Sequence, residues 1–130
     1  MSSSATAKQT SDYLVAPDTV VESPGGGSAL ELGALAGKML LIVLRVTEII
    51  EQESLLLSIW GSPDGKDWGG KALFQFPERF YQSVTPASLD LAQRPEIKFL
   101  RARWHVNRWG RGYPRPYFKM GVEVQDATSS

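Results

Sequence analysis

Five arginines and four aromatic residues interleave in one late stretch: Arg101, Arg103, Arg108, Arg111 and Arg115 with Trp104, Trp109, Tyr113 and Tyr117. A guanidinium presents a planar fork of donors that fits carboxylate and phosphate, and an indole or phenol adds a rigid apolar surface with a polar edge. The combination suits a protein interface, where Trp, Tyr and Arg carry most of the binding energy. It also suits a sugar-stacking platform built from Trp109, Tyr113 and Tyr117, or a groove for single-stranded nucleic acid. Trp104 falls on the core face of its strand, which leaves the arginines and the loop aromatics for contact. The leading expectation is an interface made by Arg101, Arg103, Arg108, Trp109, Arg111, Tyr113, Arg115 and Tyr117, with glycan binding second and nucleic acid disfavoured.

Other chemistries find little material. His105 is the single histidine, and acid–base catalysis needs a group titrating near neutrality with an orienting partner. It alternates with Arg101 and Arg103, which offer it no base. No serine stands in a nucleophile-elbow context, and Gly25-Gly26-Gly27 lacks the preceding strand and following Lys-Ser/Thr of a phosphate loop; it reads as linker. Asp64 and Asp67, or Glu48, Glu51 and Glu53, are the acidic groups nearest to a calcium site, but neither has the alternating spacing that wraps one ion. With no cysteine, disulfides and thiol chemistry are excluded. The sequence therefore predicts no enzyme, no cofactor and no metal.

The elements that must position these residues read as short strands. In the segment 54–68, Leu55, Leu57 and Ile59 alternate with Leu56, Ser58 and Trp60, so the two sets face opposite ways. The strand runs into a turn, Ser62-Pro63-Asp64-Gly65-Lys66-Asp67-Trp68. Pro63 presets φ there, Asp64 and Gly65 complete the reversal, and the Trp68 indole returns to the sheet as core. Ser62, Asp64, Gly65 and Trp68 are thus expected to be structural. Gly33 and Gly37 bracket a turn before a strand from Lys38 to Thr47, apolar on both faces in its first half and so central. Ala72 to Phe76, Phe80 to Val84 and Ser88 to Leu91 are lesser strand candidates, and Pro86 to Gln93 competes as a helical turn capped by Thr85. Phe99 to Val106 places Leu100, Ala102, Trp104 and Val106 on one face. Tyr117 to Val124 does the same with Phe118, Met120, Val122 and Val124. The pattern predicts an all-β fold, an antiparallel sandwich of jelly-roll type.

Residues 1–28, rich in Ser, Pro and Gly, are expected to form an extended arm outside the sandwich, with Tyr13-Leu14-Val15 available to add a strand or dock on a neighbour. Residues 29–125 form the domain and 126–130 a tail. Net charge is zero, yet charge is unevenly spread. One lysine faces four carboxylates between Met1 and Gly37, whereas eight Arg or Lys residues face one carboxylate between Arg94 and Lys119. Such ends attract within a subunit or between neighbours. The longest apolar run, Met39 to Leu44, is six residues, against about 20 for a membrane helix. The start Met1-Ser2-Ser3-Ser4 lacks the basic and apolar regions of a cleaved signal.

The apolar strand ending in Val46-Thr47, the segment Leu55 to Trp68, Phe99-Leu-Arg-Ala-Arg-Trp-His-Val106 and Phe118-Lys-Met-Gly-Val-Glu-Val124 together resemble a family of small tailed-phage structural proteins. These share a Ser-x-Asp-Gly-x-x-Trp turn and an Arg-x-x-Trp late strand. The resemblance covers about residues 29 to 125 and implies a virion-like decoration or head–tail component, located in a particle or the cytoplasm. Such a protein self-associates and docks on a larger shell, with the arm on a neighbour and the arginines on acidic surface such as Glu48 to Glu53. The same turn is similar to that of discoidin or galactose-binding-like domains, although this chain lacks their usual cysteine pair. That second resemblance implies a carbohydrate-binding module.

Overall fold

The computed structural model describes residues 12–49, 53–108 and 117–127. Among these lie nine strands: β1 (Asp12–Val21), β2 (Gly25–Gly26), β3 (Leu30–Glu31), β4 (Met39–Ile49), β5 (Glu53–Ser62), β6 (Phe74–Gln75), β7 (Ser83–Asp90), β8 (Phe99–Arg108) and β9 (Phe118–Asp126). A single 3-10 turn, Gly33–Leu35, precedes β4, with Gly33 and Gly37 both in the left-handed region at φ 54° and 72°. Non-glycine residues rarely adopt that conformation.

Two sheets stack face to face. The first runs β1-β9-β4-β7 and the second β2-β8-β5-β6, with β3 also on β8; every pairing is antiparallel. The chain passes from one sheet to the other between β1 and β2, β3 and β4, β4 and β5, β6 and β7, β7 and β8, and β8 and β9. With β2 and β3 counted as one interrupted strand, the order is the double Greek key of a jelly roll. The fold is an all-β antiparallel sandwich.

Alternation builds the core. Leu40, Ile42, Leu44 and Val46 of β4 face inward against Leu55, Leu57 and Ile59 of β5. They are joined by Leu100 and Ala102 of β8 and by Phe118, Met120, Val122 and Val124 of β9, all at most 2% exposed. Each such aliphatic side chain contributes about 1.5–3 kcal/mol on leaving water. β4 lies between β9 and β7, as its doubly apolar first half requires. No helix among the described residues is long and apolar enough to cross a membrane.

Three expectations are corrected. The stretch 12–28 does not stand apart from the sandwich. β1 pairs along β9, with Val21 opposite Phe118 and Asp12 opposite Val124, while Leu14, Val15 and Val21 enter the core. Two register shifts interrupt that ladder, which is why no sustained period of two marks it in sequence. Residues 1–11 lie outside the described residues. The two weak candidates around residues 80–91 are one strand, β7, and the helical turn is absent. Ala87 and Leu89 pack inward, and Pro86 is tolerated because β7 is an edge strand. The strand expected at Ala72 to Phe76 contracts to β6, where the rings of Phe74 and of Phe76 just after the strand meet edge to face at 5.0 Å.

Candidate functional site

The pairing of β5 with β8 sets Ser58 opposite Arg103, Trp60 opposite Arg101 and Leu56 opposite His105. All six belong to the outward set of their strands. Trp60 donates from Nε1 to Ser58 Oγ at 2.9 Å, and Ser58 Oγ lies 3.4 Å from the Arg103 carbonyl. The indole so fixed carries the Arg103 guanidinium 5.1 Å from its ring centre. Beside it the Arg101 guanidinium lies 5.9 Å from the Trp68 ring and donates from Nε to the Gly27 carbonyl at 3.1 Å. Stacking on an indole favours a cation electrostatically and leaves the edge donors of the guanidinium free. A half-open concavity of about 380 Å³ is lined by Ser58, Trp60, Arg101, Arg103, Trp104 and His105, and walled by Pro24, Gly25 and Gly26.

The triple glycine forms that wall. Gly25 and Gly26 pair with β8 as β2, and Gly27 donates to the Ala102 carbonyl at 2.9 Å. A Cβ on Gly26 would stand 3.1 Å from an Arg101 guanidinium nitrogen, and one on Gly27 would meet the Leu14 carbonyl at 2.6 Å. The reading of these glycines as linker is corrected: they admit a side chain and a backbone at close range.

Trp68 is also placed differently from its expected core position. It is half-buried on the outer surface of the second sheet, against Arg101, because the turn carries it over the sheet face rather than between the sheets. The turn itself is closed by side chains. Ser62 Oγ donates to Asp64 Oδ1 at 3.0 Å and accepts the Asp64 and Gly65 N–H groups at 3.2 and 2.8 Å. Asp64 Oδ1 accepts from Lys66 N at 2.8 Å and Asp67 N at 2.9 Å, and Asp67 Oδ1 from Gly69 N at 3.0 Å. Gly65 sits at φ 79°.

The Asp67 and Lys66 N–H groups, then the Ser62 hydroxyl, hold the Asp64 carboxyl below its ordinary value. A carboxyl depressed in this way stabilises the fold above the ordinary aspartate range and loses that contribution as pH falls through its lowered value. Asp64→Asn should therefore lower the melting temperature at neutral pH, with the gap to the parent closing in acid. A gap constant across a melting series in pH would overturn this assignment. Among the described residues no three His, Asp or Glu side chains group as a metal site.

The expected contact set divides. Arg101 and Arg103 stand together near the turn. The Arg108 backbone pairs with Glu53 at the far end of β8, about 17 Å beyond Arg103 at the rise of a strand. Tyr117, half-buried, donates its N–H to Glu53 Oε1 at 2.8 Å at that same end. Trp109, Arg111, Tyr113 and Arg115 lie outside the described residues. Of the acidic surface proposed to receive the arginines, Glu53 is 1% exposed, Glu48 is exposed and bridged by Lys119 at 3.4 Å, and Glu51 lies outside the described residues. Sequence reasoning put Ser58 and Trp60 on the outward face without giving them a role. Their partnership with Arg101 and Arg103 follows from the β5–β8 register, which alternation within one strand cannot supply.

A second concavity of about 380 Å³, on the first sheet, is lined by Tyr13, Pro17, Asp18, Arg45, Thr47, Gly121 and Glu123. There Arg45 is neutralised by Glu123 at 2.7 Å, whereas Arg101 and Arg103 have no carboxylate partner among the described residues.

The sequence matches no protein-family model and no curated protein. Among solved structures it is similar to a chain in the structure of infectious bursal disease virus, Gx strain. The TM-score is 0.51 at 10% identity, over 88% of this chain and 30% of the viral one. This chain thus spans less than a third of that viral chain, and the likeness is one of fold.

Proposed function

We propose that this chain is a non-enzymatic structural protein of a virion-like particle, of the small tailed-phage kind, working by self-association and by docking on a larger shell. The observation that supports the reading is the all-β sandwich, similar in fold over 88% of the chain to a chain of a virus structure. Neither side chain with catalytic credentials is set up for acid–base work: Asp64 closes a turn, and His105 is exposed with no orienting carboxylate among the described residues.

The self-association reading is supported by exposed apolar residues on the crossover into β7 and at its start. Phe80 is 42%, Tyr81 78% and Val84 63% exposed, at a strand that forms the edge of the first sheet among the described residues. Exposed apolar residues grouped at a sheet edge mark association sites. Sedimentation of the full chain should show species heavier than the monomer in the micromolar range. Tyr81→Ser combined with Val84→Lys should weaken association at least tenfold while leaving the melting temperature within a few degrees. A parent chain that stays monomeric throughout, or a double variant that associates as well as the parent, would overturn the proposal.

A further inference from the structure

We propose that the outer face of the second sheet, between β5 and β8, is a binding site for a carboxylate-bearing saccharide, with Arg103 and Arg101 as the carboxylate clamp and Trp60 as the ring contact. This goes beyond the assembly reading and stands independently of it, since it uses the opposite face of the sandwich from β7.

The clamp is prepared. Arg103 is held on the Trp60 indole, itself tied to Ser58, so little side-chain entropy remains to be lost when its donors engage an anion. Arg101 is held twice, by Trp68 and by the Gly27 carbonyl, and its Nε and one terminal nitrogen lie beside Gly26, where any side chain would crowd them. A stacked guanidinium keeps its fork in one plane, the geometry that receives a carboxylate through two parallel hydrogen bonds. Two such groups sit side by side without a carboxylate partner among the described residues. On the first sheet, by contrast, Arg45 and Lys119 are each matched to a glutamate.

The shape selects the ligand class. The concavity, about 380 Å³, is at the small end of the roughly 300–1,000 Å³ typical of small-molecule sites, and suits one or two sugar rings. Trp104, on the core side of β8, is fixed by its Nε1 bond to the Ser23 carbonyl at 3.0 Å and so anchors the Pro24 to Gly26 wall to β8. His105, exposed beyond Arg103 on the same strand face, supplies a donor or acceptor for a hydroxyl.

A peptide is less well served. β5 and β8 each have a neighbour on both sides, so no backbone edge is offered for strand addition. A nucleic-acid strand needs a basic groove that tracks several phosphates, whereas here the two clamped guanidiniums share one short concavity.

The test is a titration of the full ¹⁵N-labelled chain, followed by backbone amide shifts, with glucuronic acid, glucose, acetate, a tetraglutamate peptide and a deca-thymidine oligonucleotide as separate probes. Glucuronic acid should shift the amides of Ser58, Trp60 and Arg101 to His105, with glucose and acetate each at least tenfold weaker. Arg103→Ala should weaken glucuronic acid binding at least tenfold with the rest of the spectrum unchanged. Arg103→Lys, which keeps the charge but not the fork, should weaken it severalfold. The proposal is overturned by absence of shifts, by glucose or acetate binding as well as glucuronic acid, by tighter binding of the peptide or oligonucleotide, or by an Arg103→Ala chain that binds as the parent does.

Discussion

A chain shortened by residues 1–21 is expected to lose its cooperative unfolding transition, whereas one shortened by residues 1–11, which keeps β1 whole, should retain it. Leu14, Val15 and Val21 are 4%, 6% and 4% exposed. Returning each to water costs about 1.5–3 kcal/mol, together roughly 5–9 kcal/mol, against a total stability of about 5–15 kcal/mol for a domain. The loss is compounded at Gly121 on β9, where a Cβ would stand 2.9 Å from Pro17 Cα: β9 is shaped to receive β1 closely and would present a bare edge without it. Urea titration followed by near-ultraviolet circular dichroism distinguishes the two truncations. A cooperative transition in the shorter chain would mean that β1 is an accessory.

The second large effect is expected at Phe118. It is fully buried, stands opposite both Val21 of β1 and Ile49 of β4, and leads the strand at the centre of the first sheet. Phe118→Ala should cost about 3–5 kcal/mol, a fall in melting temperature of roughly 10–20 °C at this size. Trp68→Ala, by contrast, removes a half-buried ring from the outer surface and should cost about 1 kcal/mol. Thermal unfolding of the two variants side by side checks the assignment of core and surface. Equal losses would put Trp68 back in the core, where its position in sequence first suggested it.

Phe118 and Trp68 also show how far the sequence can be read. The faces of β4, β5, β8 and β9 were legible because each has three or more alternating positions with apolar residues on one side, and the pleat leaves only two directions for them. Trp68 was not, because it lies past a turn closed by Ser62 and Asp64, where alternation no longer says which side of the sheet a ring meets. β1 escaped notice for a related reason: its register shifts against β9 break the period, and Ala16-Pro17-Asp18 in its middle, with Asp18 at φ 59°, reads as a loop.

The candidate site was half legible. Arg101 and Arg103 announce themselves by type, and Trp60 by its outward position. What joins them is the pairing of residues some 45 apart, Ser58 with Arg103, which depends on the whole sheet rather than on any local stretch. The glycines at 25–27 illustrate the same limit from the other side. Their composition reads as flexibility, while their effect is proximity: Arg101 reaches the Gly27 carbonyl because Gly26 has no side chain in the way.

The pairing of β1 with β9 sets the order in which the molecule can be made. Val21 meets Phe118 only after nearly the whole intervening chain has been synthesised, which at about 5–20 residues per second takes roughly 5–20 seconds. During that interval β1 has no partner, and Leu14, Val15 and Val21 have no core to enter. The first sheet is completed last, from its two ends in sequence, so closure follows translation and does not accompany it. Non-local pairing of this kind slows folding, and the nascent chain passes through that period with an apolar strand exposed, the stage at which holdase chaperones and synthesis rate govern the yield of native protein.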